Sequence, residues 1–153
     1  AGITSKKEID DLFMIRVNLE SLAVTLASEH MEPARMKNLL RYSEQIEGCV
    51  KENDIKKYLV LDTVFHHQIY EATQNEALQK ILFNLFEQTT RFRRASLSKK
   101  GRMQAALNEH KQLISAISKR QVELAKELGV QHIKNAWLSI IELLTDEPAK
   151  IAT

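Results

Sequence analysis

Apolar residues recur every three to four positions along nearly the whole chain, the spacing of amphipathic helices rather than of strands. Between about Lys7 and His30, Leu12, Ile15, Leu19, Leu22 and Leu26 make one stripe, widened by Phe13, Ala23 and Ala27. Pro33 suits the first turn of a second helix, which reaches about Glu52 and carries Met36, Leu39, Leu40, Ile46 and Val50. Gly48 weakens that helix locally. Asn53 or Asp54 can cap a third helix that ends near Thr73. Its run of Tyr58, Leu59, Val60, Leu61, Val64, Phe65 and Ile69 is apolar on most sides, which predicts a central position. Asn75 can cap a fourth helix that continues through Leu78, Ile81, Leu82, Leu85, Phe86 and Phe92 to about Ser96. Ser98-Lys99-Lys100-Gly101 is the clearest loop. A fifth helix spans about Arg102 to Lys119 and a sixth about Gln121 to Leu144, before Pro148. The pattern predicts an all-α fold, an antiparallel bundle of about six helices with short loops.

Composition narrows the class. The 153 residues make about one domain, and only 4 Gly and 2 Pro argue against an all-β fold rich in tight turns. A net charge of +2 gives no broad electrostatic footprint for nucleic acid. The single cysteine, Cys49, excludes an internal disulfide framework. No apolar run approaches the roughly 20 residues of a membrane span, and the polar start from Ala1 to Asp11 has no apolar signal segment. A cytoplasmic protein with no membrane partner is expected.

Candidate chemistry lies on the apolar faces. Asp62 and His66 stand one turn apart on the third helix, flanked by Leu59 and Ile69. His110 is centred in the stripe of Met103, Ala106, Ile114 and Ile117, and His132 lies between Leu128 and Ala136. A polar side chain on a core-facing surface is costly unless paired. Each histidine alone reads as a hydrogen-bonded core residue. Together the four could meet and hold one ion, and spacing alone does not choose between these readings. Imidazole suits zinc, nickel, copper and iron, and an added carboxylate admits manganese. His67 lies about 100° round the helix from His66, and His30 closes the first helix; neither is assigned to the site.

The string Asp62-Thr63-Val64-Phe65-His66, followed by Ile69, Ala72, Asn75 and Leu78, resembles the D-x-x-F-H-x-x-I-x-x-A-x-x-N-x-x-L pattern of the FCD domain, the effector-sensing domain of the FadR subfamily of GntR transcription regulators. Glu109-His110, with Ile114, Ala116 and Ile117 after it, resembles that family's E-H block, and His132 follows 22 residues after His110. Arg16, Leu19, Glu20 and Ala23 resemble its first helix. The resemblance runs from about Ile9 to Leu144. It implies a bundle of six to seven antiparallel helices around a central cavity. A divalent metal would be held by Asp62, His66, His110 and His132, zinc first, with nickel or manganese as alternatives. The expected division is a linker remnant at residues 1–8, the effector-binding domain at 9–146 and a tail at 147–153. The family's N-terminal winged helix-turn-helix is absent from the chain, so operator DNA is expected to be a partner only of a longer parent, as a homodimer.

A metal-bearing cavity favours a small carboxylate effector, whose anionic end wants arginine. Arg16 sits at the edge of the first stripe, where a salt bridge with Glu20 is the competing reading. In the Arg91, Arg93, Arg94 cluster a solvated face competes; the resemblance favours one cavity arginine, and Arg93 is the choice. Three functions follow: a ligand-sensing regulatory domain without enzyme activity, a metal-dependent hydrolase, or a purely structural dimerising bundle. The hydrolase needs a general base. No further buried carboxylate announces itself, and Glu109 is expected to point away from His110. Gly129, one turn before His132, either leaves room near the cavity or loosens the helix.

Overall fold

Local signals in the sequence fix most of the helix ends. In a computed structural model that describes residues 5–145, the chain forms α1 (Lys6–His30), α2 (Pro33–Glu52), α3 (Ile55–Ala72), α4 (Glu76–Gln88), α5 (Thr90–Leu97), α6 (Arg102–Ser118) and α7 (Val122–Thr145). No strand occurs among the described residues. The expected tail at 147–153 and residues 1–4 of the linker remnant lie outside them.

Ser5 and Glu8 close a capping box on α1. Pro33 opens α2 at its first position, and Asn53 ends it in the left-handed conformation at φ 53°. The side chains of Asp54 and Asn75 accept from the amides of Lys57 and Leu78, at 2.9 and 3.0 Å, and so cap α3 and α4. Gly101, at φ +79°, makes the turn into α6 that a side chain would strain.

Two sequence expectations need correction. The predicted fourth helix is two, α4 and α5, because the chain breaks at Thr89. The buried Thr89 hydroxyl donates to the Phe86 carbonyl at 2.8 Å, competing with the helical ladder. The break re-aims α5 and brings Arg93 against α3. The first helix buries a face rotated from the centre of the expected stripe: Leu12, Phe13, Ala23 and Ala27 are buried as expected, but Ile15 and Leu22 are 53% and 46% exposed while Arg16, Glu20 and Val24 face inward.

The bundle packs as an all-α assembly in which α3 touches α1, α2, α4 and α5, consistent with its apolar sequence. The core divides into a large cluster around Leu39, Tyr58, Phe65 and Leu107, and two smaller ones on either side of α1. Contact is closest between α1 and α7. A Cβ added at Gly129 would lie 2.8 Å from Val24 Cγ2, so this glycine serves helix–helix approach rather than room in the cavity. No described helix is long and apolar enough to cross a membrane.

Candidate metal and effector site

Asp62 and His66 from α3, His110 from α6 and His132 from α7 meet in the interior, all buried. One ring nitrogen from each histidine lies within 4.8 Å of the others. His66 Nε2 and His132 Nε2 are 3.4 Å apart, with their rings stacked. Asp62 Oδ1 lies 3.4 Å from His110 Nε2 and 3.6 Å from His66 Nε2. These approaches are near but misaligned for a hydrogen bond at His110, whose two ring nitrogens have no hydrogen-bond partner among the described residues. A buried nitrogen without a partner is costly.

The protonation states suit electron-pair donation. Burial, reinforced by His132, holds His110 down to about 3, and burial with His132 and His110 holds His66 well below the ordinary range. Both are therefore neutral imidazoles at physiological pH. Burial alone would raise the Asp62 carboxyl, but Arg93 and then His110 hold it below its usual value. Three imidazoles with a carboxylate make a donor set that fits a divalent cation such as zinc, nickel or manganese.

The two arginines singled out in the sequence are both buried and both line one cavity with Asp62, His66 and His132. Arg93 Nη2 donates to Asp62 Oδ2, and its Nη1 has no partner among the described residues. The guanidinium lies 3.9 Å from the Phe86 ring centroid. Arg16 donates to Glu20 at 3.2 Å and to the Thr89 hydroxyl at 3.3 Å, so it both forms the expected salt bridge and lines the cavity. Arg94 is exposed. His67 stays outside the cluster, packed on Phe83; His30 is exposed at the end of α1.

Other side chains at the site escaped the sequence reading. Glu109 turns toward α7, as its 100° offset from His110 allows. His132 Nδ1–H donates to Glu109 Oε2 at 2.5 Å, Asn135 donates to it at 2.9 Å, and Arg102 donates at 2.9 and 3.3 Å. Burial would raise this carboxyl, but the bonds from His132 and Arg102 pull it down to about 2. A part-buried carboxylate thus stands beside His132 where the sequence announced none. The available signal was the seven-residue step from Arg102, which puts both on one face of α6. Tyr58 could also have been found, because it stands one turn before Asp62. It is fully buried and lines the cavity, and its hydroxyl has no hydrogen-bond partner among the described residues. Burial and Asp62 keep that phenol well above its ordinary pKa, so it remains an O–H donor. Glu20, the expected partner of Arg16, accepts from both Arg16 and Tyr70.

Residues 11–135 match the FCD domain family. The chain belongs to that family. Among curated relatives, the HTH-type transcriptional regulator YdhC of Bacillus subtilis is 22% identical over 130 residues, covering 84% of this chain and 58% of the relative. The chain thus spans less than two thirds of that regulator. Among solved structures, McbR/YncC of E. coli superposes with a TM-score of 0.84 at 16% identity, over 92% of this chain and 71% of that one. A GntR-family regulator of Pseudomonas syringae pv. tomato gives 0.80 at 23% identity, over 93% and 59%. Streptococcus agalactiae GntR gives 0.75 at 22%, over 89% and 61%. At these identities the structures establish the shared fold, and the relatives are transcriptional regulators rather than named enzymes.

Proposed function

We propose that this FCD domain is the sensing part of a GntR-type regulator of the FadR kind, binding a divalent cation and a small organic acid. Asp62, His66, His110 and His132 would hold the ion, zinc first, with nickel or manganese as alternatives. Arg16 and Arg93 would receive the acid's carboxylate. The observation that carries this reading is the convergence of the four side chains. Bonds of about 2.0–2.1 Å in a tetrahedral set place neighbouring ligand atoms roughly 3.3 Å apart; three of the six pairs, His66–His132, Asp62–His66 and Asp62–His110, stand at 3.4 to 3.6 Å, and the three histidine nitrogens as a group lie within 4.8 Å of one another. A bound ion supplies an electron-pair acceptor for the acid's oxygens.

Sensing then needs only that the acid prefer one of two arrangements of the bundle. In a longer parent, a winged helix-turn-helix would read the operator, and a two-fold operator calls for a homodimer. Such a parent works in the cytoplasm, beside DNA. The hydrolase alternative fares worse, because each buried or part-buried carboxylate at the site is already engaged. Glu109 is held by Arg102, His132 and Asn135, Glu20 by Arg16 and Tyr70, and Asp62 by Arg93. None stands free as a general base.

Elemental analysis of protein purified without chelator or a nickel column tests the reading. About one ion per chain, lost in His110→Ala, is expected. The same variant should lose the rise in melting temperature that an added ion produces by mass action. No ion at all, and identical melting with and without zinc, would leave only the structural bundle.

A further inference from the structure

Beyond the ion cluster, the cavity wall holds an unusual set of buried donors. Tyr58 Oη, Arg93 Nη1 and Arg102 Nε are each buried and have no hydrogen-bond partner among the described residues. All three residues line the same cavity as Asp62 and His132. They come from three helices, α3, α5 and α6. Each can only donate at these atoms, or donates by preference, so the missing partner is an acceptor. Unmade bonds of this kind are expensive in a folded interior.

Charge bookkeeping sharpens the choice of acceptor. Arg16 is matched by Glu20 at 3.2 Å, Arg93 by Asp62, and Arg102 by Glu109 at 2.9 Å. The charges of these three pairs cancel. A divalent cation in the histidine cluster would leave the cavity with two uncompensated positive charges. A monoacid offsets one of them and a dianion offsets both. The cavity is small, about 30 Å³, room for a couple of waters, so any acid must displace side chains as it enters and a short one displaces the fewest.

We infer that the cavity takes a short dicarboxylate, one carboxylate toward the histidine cluster and the other on the donors of Tyr58, Arg93 and Arg102. This rests on the sensing function proposed above and adds the class of acid. It assigns Tyr58 and Arg102 a direct part in recognition.

Calorimetric titration of the zinc-loaded domain with succinate and with butyrate tests it. The two acids have the same chain length and differ by the second carboxylate. Succinate should bind at least about tenfold more tightly, since hydrogen bonds to a charged group carry that much or more. In Tyr58→Phe this advantage should shrink by about tenfold, with cooperative unfolding in zinc as the check on folding. Equal affinities for the two acids in the wild type overturn the inference. So does an advantage that Tyr58→Phe leaves unchanged. Should the variant not fold, the wild-type pair of affinities still decides. Binding of zinc and of both acids without preference sinks this inference alone, whereas binding of neither zinc nor acid sinks the sensing function with it.

Discussion

Glu109→Gln offers a sharp test of how the site is organised. The carboxylate accepts on both oxygens: His132 Nδ1–H and one arm of Arg102 on Oε2, Asn135 and the other arm on Oε1. Glutamine keeps the size and removes one acceptor. If its NH2 group takes the Oε2 position it faces the N–H of His132, donor against donor. The imidazole can then relieve the conflict only by moving its proton to Nε2. That is the nitrogen 3.4 Å from His66 Nε2, and a protonated nitrogen cannot ligate. If the NH2 takes the other position it opposes Asn135 and Arg102 instead, and the negative charge that favours a basic imidazole is lost in either case.

Outer carboxylate partners of metal-bound imidazoles contribute roughly 10–100-fold to metal affinity, about 1.4–2.7 kcal/mol. Competition between the domain and a chromophoric chelator for zinc reads this range directly. Lys111→Ala, which breaks an exposed 2.8 Å ion pair with Glu47 next along α6, serves as the control with unchanged zinc affinity. A Glu109→Gln domain that unfolds cooperatively and binds zinc within about twofold of the wild type would refute the reasoning. Glu109 would then be a structural tie between α6 and α7 only.

Gly129→Ala should lower stability by about 1–3 kcal/mol, because its methyl meets Val24 and both belong to packed helices; denaturant unfolding measures this, and Val24→Ala in the same chain should recover part of the loss. Tyr70→Phe removes a buried donor to Glu20 and should cost about 1–3 kcal/mol by the same assay; a cost near zero would mean that Arg16 alone satisfies that carboxylate. Stability of the metal-free domain should be flat above about pH 6.5 and fall on acidification. His66 and His110 take up protons in the unfolded chain near their ordinary pKa, while in the folded domain His66 resists well below it and His110 down to about 3. The unfolded state therefore binds more protons across that window, at up to about 1.4 kcal/mol per pH unit for each group. Chemical denaturation from pH 7.5 to 4.5 checks the sign, and stability rising toward acid would contradict neutral burial.

Helix ends were legible because their signals are local. Pro33, Asp54, Asn75 and the loop at Gly101 each satisfy or release backbone groups within four residues. The ion cluster was legible for a different reason, since three histidines at core positions of separate helices have few ways to be buried cheaply. Orientation was less legible. On α1 the stripe of leucines looked like the inward face, yet Arg16 and Glu20 claim the interior and turn Ile15 and Leu22 outward. Their partners, Tyr70 and Thr89, lie 50 and 73 positions along the chain. No periodicity within one helix encodes such a pairing. The break at Thr89 was missed similarly, because no glycine or proline marks it in Glu87-Gln88-Thr89-Thr90 and its hydroxyl also accepts from Arg16, 73 positions away.

The cost of this interior bears on what the domain is for. Three arginine–carboxylate pairs and three histidines occupy positions that leucine or phenylalanine could fill. Buried ion pairs repay their desolvation poorly, and well-packed apolar replacements are often neutral or stabilising. A bundle whose only task was to hold its shape, or to pair with a copy of itself, would gain from such replacements. Here the polar groups are also left incomplete: donors on Tyr58, Arg93 and Arg102, which line one cavity, and both nitrogens of His110 beside Asp62 lack hydrogen-bond partners among the described residues. Such incomplete satisfaction is difficult to reconcile with a purely structural role, and it is what a site built to be completed by a cation and an anion requires.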